Sequence, residues 1–136
     1  MKKQNGFNLI ELMIVLVIIG IIGSVAVPSY QANVIKSYRS EGMTKMLEMM
    51  RAQEDYFANN YTYTTTLSNL GYTLSGDGVV TDSGRYKITA EKCGTDDLDE
   101  CVNLKGTALA GQAGDGTLQL NSRGVRLRGT TTSWTN

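Results

Sequence analysis

Residues 6–31 read Gly-Phe-Asn-Leu-Ile-Glu-Leu-Met-Ile-Val-Leu-Val-Ile-Ile-Gly-Ile-Ile-Gly-Ser-Val-Ala-Val-Pro-Ser-Tyr-Gln, and this stretch decides the fold. One carboxylate, Glu11, stands at its head, and the 24 residues from Leu12 to Ile35 carry no charge. As an α-helix that run rises about 36 Å, enough to cross a hydrocarbon core of about 30 Å. A carboxylate at the edge of lipid is costly and calls for a cationic partner. Lys2 and Lys3 precede the run and no acid does, so the positive-inside bias keeps residues 1–6 in the cytoplasm and sends the rest across. Ser24-Val25-Ala26 also offers a small-x-small cleavage site of the secretory signal type. The length of the run, Glu11 at its start and Pro28 just beyond that cut oppose a signal peptide.

The remainder bounds the chemistry. At 136 residues the chain holds one small domain plus a membrane segment. Lys and Arg (13) balance Asp and Glu (13), so no global nucleic-acid footprint exists. There is no His, which removes the commonest general base and zinc ligand. No Gly-rich phosphate loop and no activated nucleophile is recognisable, so the expectation is a protein that is not an enzyme and needs no cofactor.

After Ile35 a helical period continues through Met43, Met46/Leu47, Met50, Gln53/Glu54 and Phe57. The opposite face is read as Arg39, Glu41, Lys45, Glu48 and Asp55, with Glu41–Lys45 as an i, i+4 pair. One helix over about residues 8–58 is predicted, about 75 Å long if straight. Its methionines read as core filling rather than copper ligands. Gly20, Gly23 and Pro28 weaken the membrane half, and Pro28 should kink it near Val27. Asn59-Asn60 ends the helix, and residues 61–71 read as a connecting loop with room for one helical turn.

Strand signals follow. Arg85–Glu91 alternates with Tyr86, Ile88 and Ala90 on one side. Val102–Ala110, Thr117–Asn121 and Val125–Arg128 are further strands, the last two joined by the tight turn Asn121-Ser-Arg-Gly124. The expected fold is α+β, a long N-terminal helix packed on an antiparallel sheet of three or four strands.

Lys-Lys-Gln-Asn-Gly6 followed by Phe7-Asn-Leu-Ile-Glu11 and its apolar run resembles the class III signal of type IV pilins. Arg39-Ser-Glu, the run Met50-Arg-Ala-Gln-Glu-Asp-Tyr-Phe-Ala-Asn-Asn-Tyr-Thr-Tyr63, and Thr117-Leu-Gln-Leu-Asn-x-x-Gly124 followed by Trp134 are similar to PilE-like minor pilins. The resemblance implies removal of the leader 1–6 by a prepilin peptidase after Gly6 and N-methylation of Phe7. It implies an assembly role for Phe7, Glu11 and Pro28, with Glu11 pairing with the Phe7 amine of a neighbouring subunit. A pair taken out of water together costs less than either ion alone. The implied domains are a transmembrane and assembly helix at 7–35, its amphipathic half at 36–58 and a periplasmic β domain at 59–136. The implied partners are other pilin subunits in a helical filament, an inner-membrane assembly platform, and the lipid bilayer before assembly. The implied locations are the bacterial inner membrane, single-pass with a periplasmic C-terminus, and then the cell-surface pilus, serving adhesion, motility or DNA uptake.

Cys93 and Cys101 lie beyond the inner membrane on this reading, where a disulfide forms. Between them Asp96, Asp97, Asp99 and Glu100 are weak calcium candidates, lacking the alternating order of a known loop. Arg123, Arg126 and Arg128 form a basic cluster that could meet DNA, although without interleaved aromatics acidic patches on neighbouring subunits fit it better. The alternatives are a type II secretion pseudopilin and a membrane-anchored periplasmic binding module that never polymerises.

Overall fold

The structure, a computed structural model, describes residues 7–131 and residue 134. The chain forms two compact units, one up to Val34 and one from Ile35 onward. Helix α1 spans Leu9–Asn60, within two residues of the predicted bounds. A 3₁₀ turn follows at Leu67–Leu70, inside the stretch read as a loop. Strands β1 (Val79–Val80), β2 (Tyr86–Lys92), β3 (Val102–Ala108), β4 (Leu118–Asn121) and β5 (Arg126–Arg128) complete the domain, with a second 3₁₀ turn at Ala113–Asp115.

The first unit is a helical segment whose apolar side chains are bare. It contains an 18-residue window of mean hydropathy 2.8, none of it buried. By length and composition it can cross a membrane.

In the second unit the helix packs on a five-stranded antiparallel sheet whose spatial order is the chain order, β1 to β5. This is one strand more than expected, because Val79–Val80 is too short to show alternation. Register sets the faces. Ala90 pairs with Leu104 and Leu104 with Leu120, while Ile88 pairs with Gly106 and Gly106 with Leu118. Tyr86, Ile88, Val102, Leu104, Leu118 and Leu120 are therefore buried on one face. Met46, Met49, Met50 and Gln53 of α1 close over them. Burying each large apolar side chain stabilises by roughly 1.5–3 kcal/mol. Gln53, fully buried, donates to the Thr64 carbonyl at 2.6 Å and accepts from the Thr64 amide at 3.0 Å, so the chain reversal after α1 satisfies its own backbone.

The face of α1 differs from its prediction in three places. Met49 rather than Leu47 enters the core. Arg39, placed on the solvent face, is buried. Lys45 pairs with Glu48 at 3.1 Å, whereas Glu41 accepts from the Ser83 amide at 2.9 Å. Partners in the turns between strands outweigh the weak i, i+4 pairing along the helix surface.

Close approach of helix and sheet depends on glycine. A Cβ at Gly42 would stand 3.0 Å from Cδ2 of Tyr86, and one at Gly106 would meet Met46 Sδ at 3.1 Å. The Tyr86 ring is fully buried and its hydroxyl is tied to Asp115, so it cannot yield. Gly42→Ala should therefore lower stability by about 1 kcal/mol, even though alanine favours a helix by a similar amount. Urea denaturation of the two proteins in the same detergent measures the difference.

Candidate assembly segment and recognition surface

The assembly candidates lie at the start of the first unit. Phe7 is 83% exposed, and Glu11 is exposed in the first turn of α1, four residues further on. A carboxylate there interacts favourably with the positive end of the helix dipole. Gly6 lies outside the described residues. Helix α1 continues through Pro28 without a break. Upstream of it, the Ser24 hydroxyl donates to the Ile21 carbonyl at 2.7 Å.

A buried polar cluster sits at the start of the second unit, and its centre, Asp115, carries no local sequence signal. The Arg39 guanidinium forks onto that carboxylate, with Nε 2.7 Å from Oδ2 and Nη2 closing on Oδ1. The Tyr86 hydroxyl donates to Asp115 at 2.6 Å, Gln112 Nε2 lies at 3.2 Å, and Arg128 Nη1 is 3.6 Å away. Gln112 Nε2 also donates to the Ile35 carbonyl at 2.8 Å, while its Oε1 is buried with no hydrogen-bond partner among the described residues. Burial alone would raise the Asp115 pKa, but the bonds from Arg39 and Tyr86 outweigh it and hold the carboxyl below its ordinary range. Burial, reinforced by the bond to Asp115, pushes the Tyr86 phenol up to about 12. No sequence pattern signals a pair separated by 76 residues.

The disulfide Cys93–Cys101 closes the segment between β2 and β3, with Cα atoms 5.6 Å apart. Leu98, inside that loop, packs against the core, and its carbonyl accepts from the Tyr63 amide at 2.8 Å. Replacing both cysteines by serine should cost about 2–3 kcal/mol in the chain-entropy account. Thermal melts of the oxidised and substituted proteins would show it as a lower Tm.

The calcium candidates do not converge. Asp97 pairs with Lys92 and Asp96 with Arg123, each at 2.7 Å, and Asp99 is exposed. Among the described residues no group of three or more Cys, Asp or Glu side chains could hold a metal ion. The basic cluster also disperses. Register pairs Arg126 with Leu120 and Arg128 with Leu118, which turns both toward the helix side of the sheet. Arg128 is drawn to Asp115 and Arg123 to Asp96. Arg126 is exposed and lies 5.2 Å over the ring of Trp134, an aromatic partner eight residues away that the sequence did not connect to it. Trp134 itself is buried, its indole N–H donating to the Gln119 carbonyl at 2.9 Å.

Residues 28–119 match the family described as type IV minor pilin ComP, DNA uptake sequence receptor, and residues 1–27 match the prokaryotic N-terminal methylation motif. Fimbrial protein EcpC of Eikenella corrodens is 31% identical over 122 residues, covering 85% of this chain and 80% of that one. Type II secretion system core protein G of Vibrio cholerae is 38% identical over 66 residues, 48% of this chain and 45% of that one. A type IV pilin structure from Shewanella oneidensis superposes with a TM-score of 0.52 at 19% identity, covering 73% of this chain and 97% of that one.

Proposed function

Because the chain belongs to the type IV pilins, within the minor pilin family that its residues 28–119 match, we propose that it is a minor pilus subunit that captures DNA at the cell surface. That it is a structural subunit assembling with other pilins follows from the family; the steps below are our reading. The prepilin waits in the inner membrane as a single-pass protein, residues 7–35 in lipid and the domain in the periplasm. A prepilin peptidase cuts after Gly6, and Phe7 is methylated on its new amine. The assembly platform then draws the helix out of lipid. The observation that carries this reading is the bare apolar run headed by Phe7 and Glu11. Apolar area unburied in the monomer can be covered only by lipid or by other helices. Mass spectrometry of sheared filaments should find a peptide beginning at methylated Phe7. A mature terminus at Val27 would mean a secretory signal peptide and would end the assembly reading.

The DNA reading rests on the family's own description and on Arg126, a cation held over an aromatic ring at the surface. Arg123, at the β4–β5 turn, can exchange its exposed pair with Asp96 for a phosphate, since such pairs contribute little. If both arginines contact phosphates, Arg123→Ala with Arg126→Ala should weaken duplex binding at all sequences and reduce the salt slope by about 2. An unchanged slope would remove these residues from the interface. The secretion pseudopilin alternative draws on relatives that match about half of the chain.

A further inference from the structure

The first residues of the second unit carry a feature that neither assembly nor DNA capture uses. Loop residues 109–114 read Leu-Ala-Gly-Gln-Ala-Gly, without a charge, and Ala110, Gly111, Ala113 and Gly114 are exposed. The loop is not free to wander. Gln112 bonds the carbonyl of Ile35, the last residue of the uncharged run, and Asp115 is clamped by Arg39. Arg85 donates to the Ala110 carbonyl at 2.7 Å, with its guanidinium 5.1 Å over the Tyr38 ring. Lys36 is exposed beside Ile35. Tyr38 is of a residue type enriched at membrane–water interfaces, and Lys36 and Arg85 carry the positive charge that anionic headgroups attract. The one acid of the segment, Asp115, has a side chain only 3% exposed and is already neutralised by Arg39.

We infer that this loop, with Lys36 and Arg85, is a foot that rests on anionic phospholipid headgroups before assembly. The inference rests on the proposed bilayer span of residues 7–35. Ile35 is where the uncharged run ends, so an uncharged small-residue loop bonded to its carbonyl is within reach of the headgroup layer that the run meets there. The contact adds a second point of attachment to the single helix. Removal of the subunit into a filament breaks the contact.

The test uses the full-length chain in vesicles of phosphatidylethanolamine with phosphatidylglycerol. A single environment-sensitive fluorophore is placed at Ala113→Cys or, as a distal control, at Asn59→Cys, the native cysteines being joined to each other. Asn59 lies 24 residues beyond Ile35, about 36 Å along the helix. Quenching by a headgroup spin-labelled lipid should be at least about threefold stronger at 113 than at 59, and should fall in phosphatidylcholine vesicles or with Lys36→Gln and Arg85→Gln together. Equal quenching at the two positions in protein that floats with the vesicles would overturn the foot and leave the bilayer span standing. Protein that does not float would overturn both. A label at 113 shielded in sheared filaments but unquenched in vesicles would assign the loop to subunit packing instead.

Discussion

Glu11→Ala protein should enter the inner membrane normally and be lost from filaments by a factor of about one hundred or more. Glu11 is exposed in the first turn of α1, where it makes no ion pair among the described residues. Its removal therefore leaves the monomer's fold intact and makes the apolar run cheaper to hold in lipid. In the proposed filament the loss is of another kind. A methylated Phe7 amine keeps its positive charge, and without Glu11 that charge is buried among apolar helices with no counter-ion. Breaking one side of a buried pair costs about 3–5 kcal/mol, and each 1.4 kcal/mol is a factor of ten in an equilibrium. Immunoblots of membrane and sheared-filament fractions separate the two pools. Wild-type recovery in the filament fraction would refute the pairing. Glu11→Asp, one methylene shorter, should assemble better than the alanine variant but below wild type.

Asp115→Asn is expected to be the most damaging single change to the domain. The substitution keeps size and some hydrogen bonding but takes away the carboxylate charge onto which Arg39, with a side chain 11% exposed, forks, and Arg128 loses the same anion. A loss of about 3–5 kcal/mol follows, equivalent to roughly 12 °C or more in Tm for a domain of this size. Circular dichroism melts read it directly, and a fall of less than a few degrees would show that Arg39 finds another partner. The pH dependence has a defined sign. Asp115 is held below its ordinary value, so its contribution is complete above about pH 4 and fades as acid drives the pH down through the folded-state value. Tyr86 is raised to about 12, so its contribution is complete below about pH 10 and is lost as the pH rises from there through about 12. The asparagine variant should lose the share of the acid limb that Asp115 contributes, because position 115 then has no carboxylate to protonate.

The parts of the protein visible in the sequence were those written in consecutive residues. The apolar run needs no partner to be recognised, and β2 declares itself because Tyr86, Ile88 and Ala90 alternate with polar neighbours. The turn at Asn121–Gly124 is a local signal of the same sort: the Asn121 side chain accepts from the Arg123 and Val125 amides at 3.1 and 2.9 Å. What stayed hidden depended on three-dimensional neighbours. Arg39 looks solvated on a helical wheel, and only the loop carrying Asp115, 76 residues later, makes its burial possible. The three arginines looked like a cluster because they are close in sequence, yet each has a different partner once strand register is set. Even the helix end has a hidden element. Tyr61 sits at φ 56°, a left-handed position usually given to glycine, held by the hydrogen bond its N–H donates to the Phe57 carbonyl.

The sequential sheet bears on how such subunits live at high density. Strands at the border of a sheet present unpaired amides and carbonyls, and identical copies crowded side by side invite those borders to merge. Here the outermost strands are β1 with two residues and β5 with three. Beyond β5 the chain folds back at once, Arg128 and Thr131 bonding each other through both amides at 3.0 Å. The long strands β2 and β3 pair with each other along their full length, while β1 flanks β2 only at Lys87 and Ile88. Domains pressed together along a filament, or waiting together in the membrane, therefore offer each other no long outermost strand to template on beyond the stretch of β2 past Ile88, and elsewhere their side chains are left to decide how they pack.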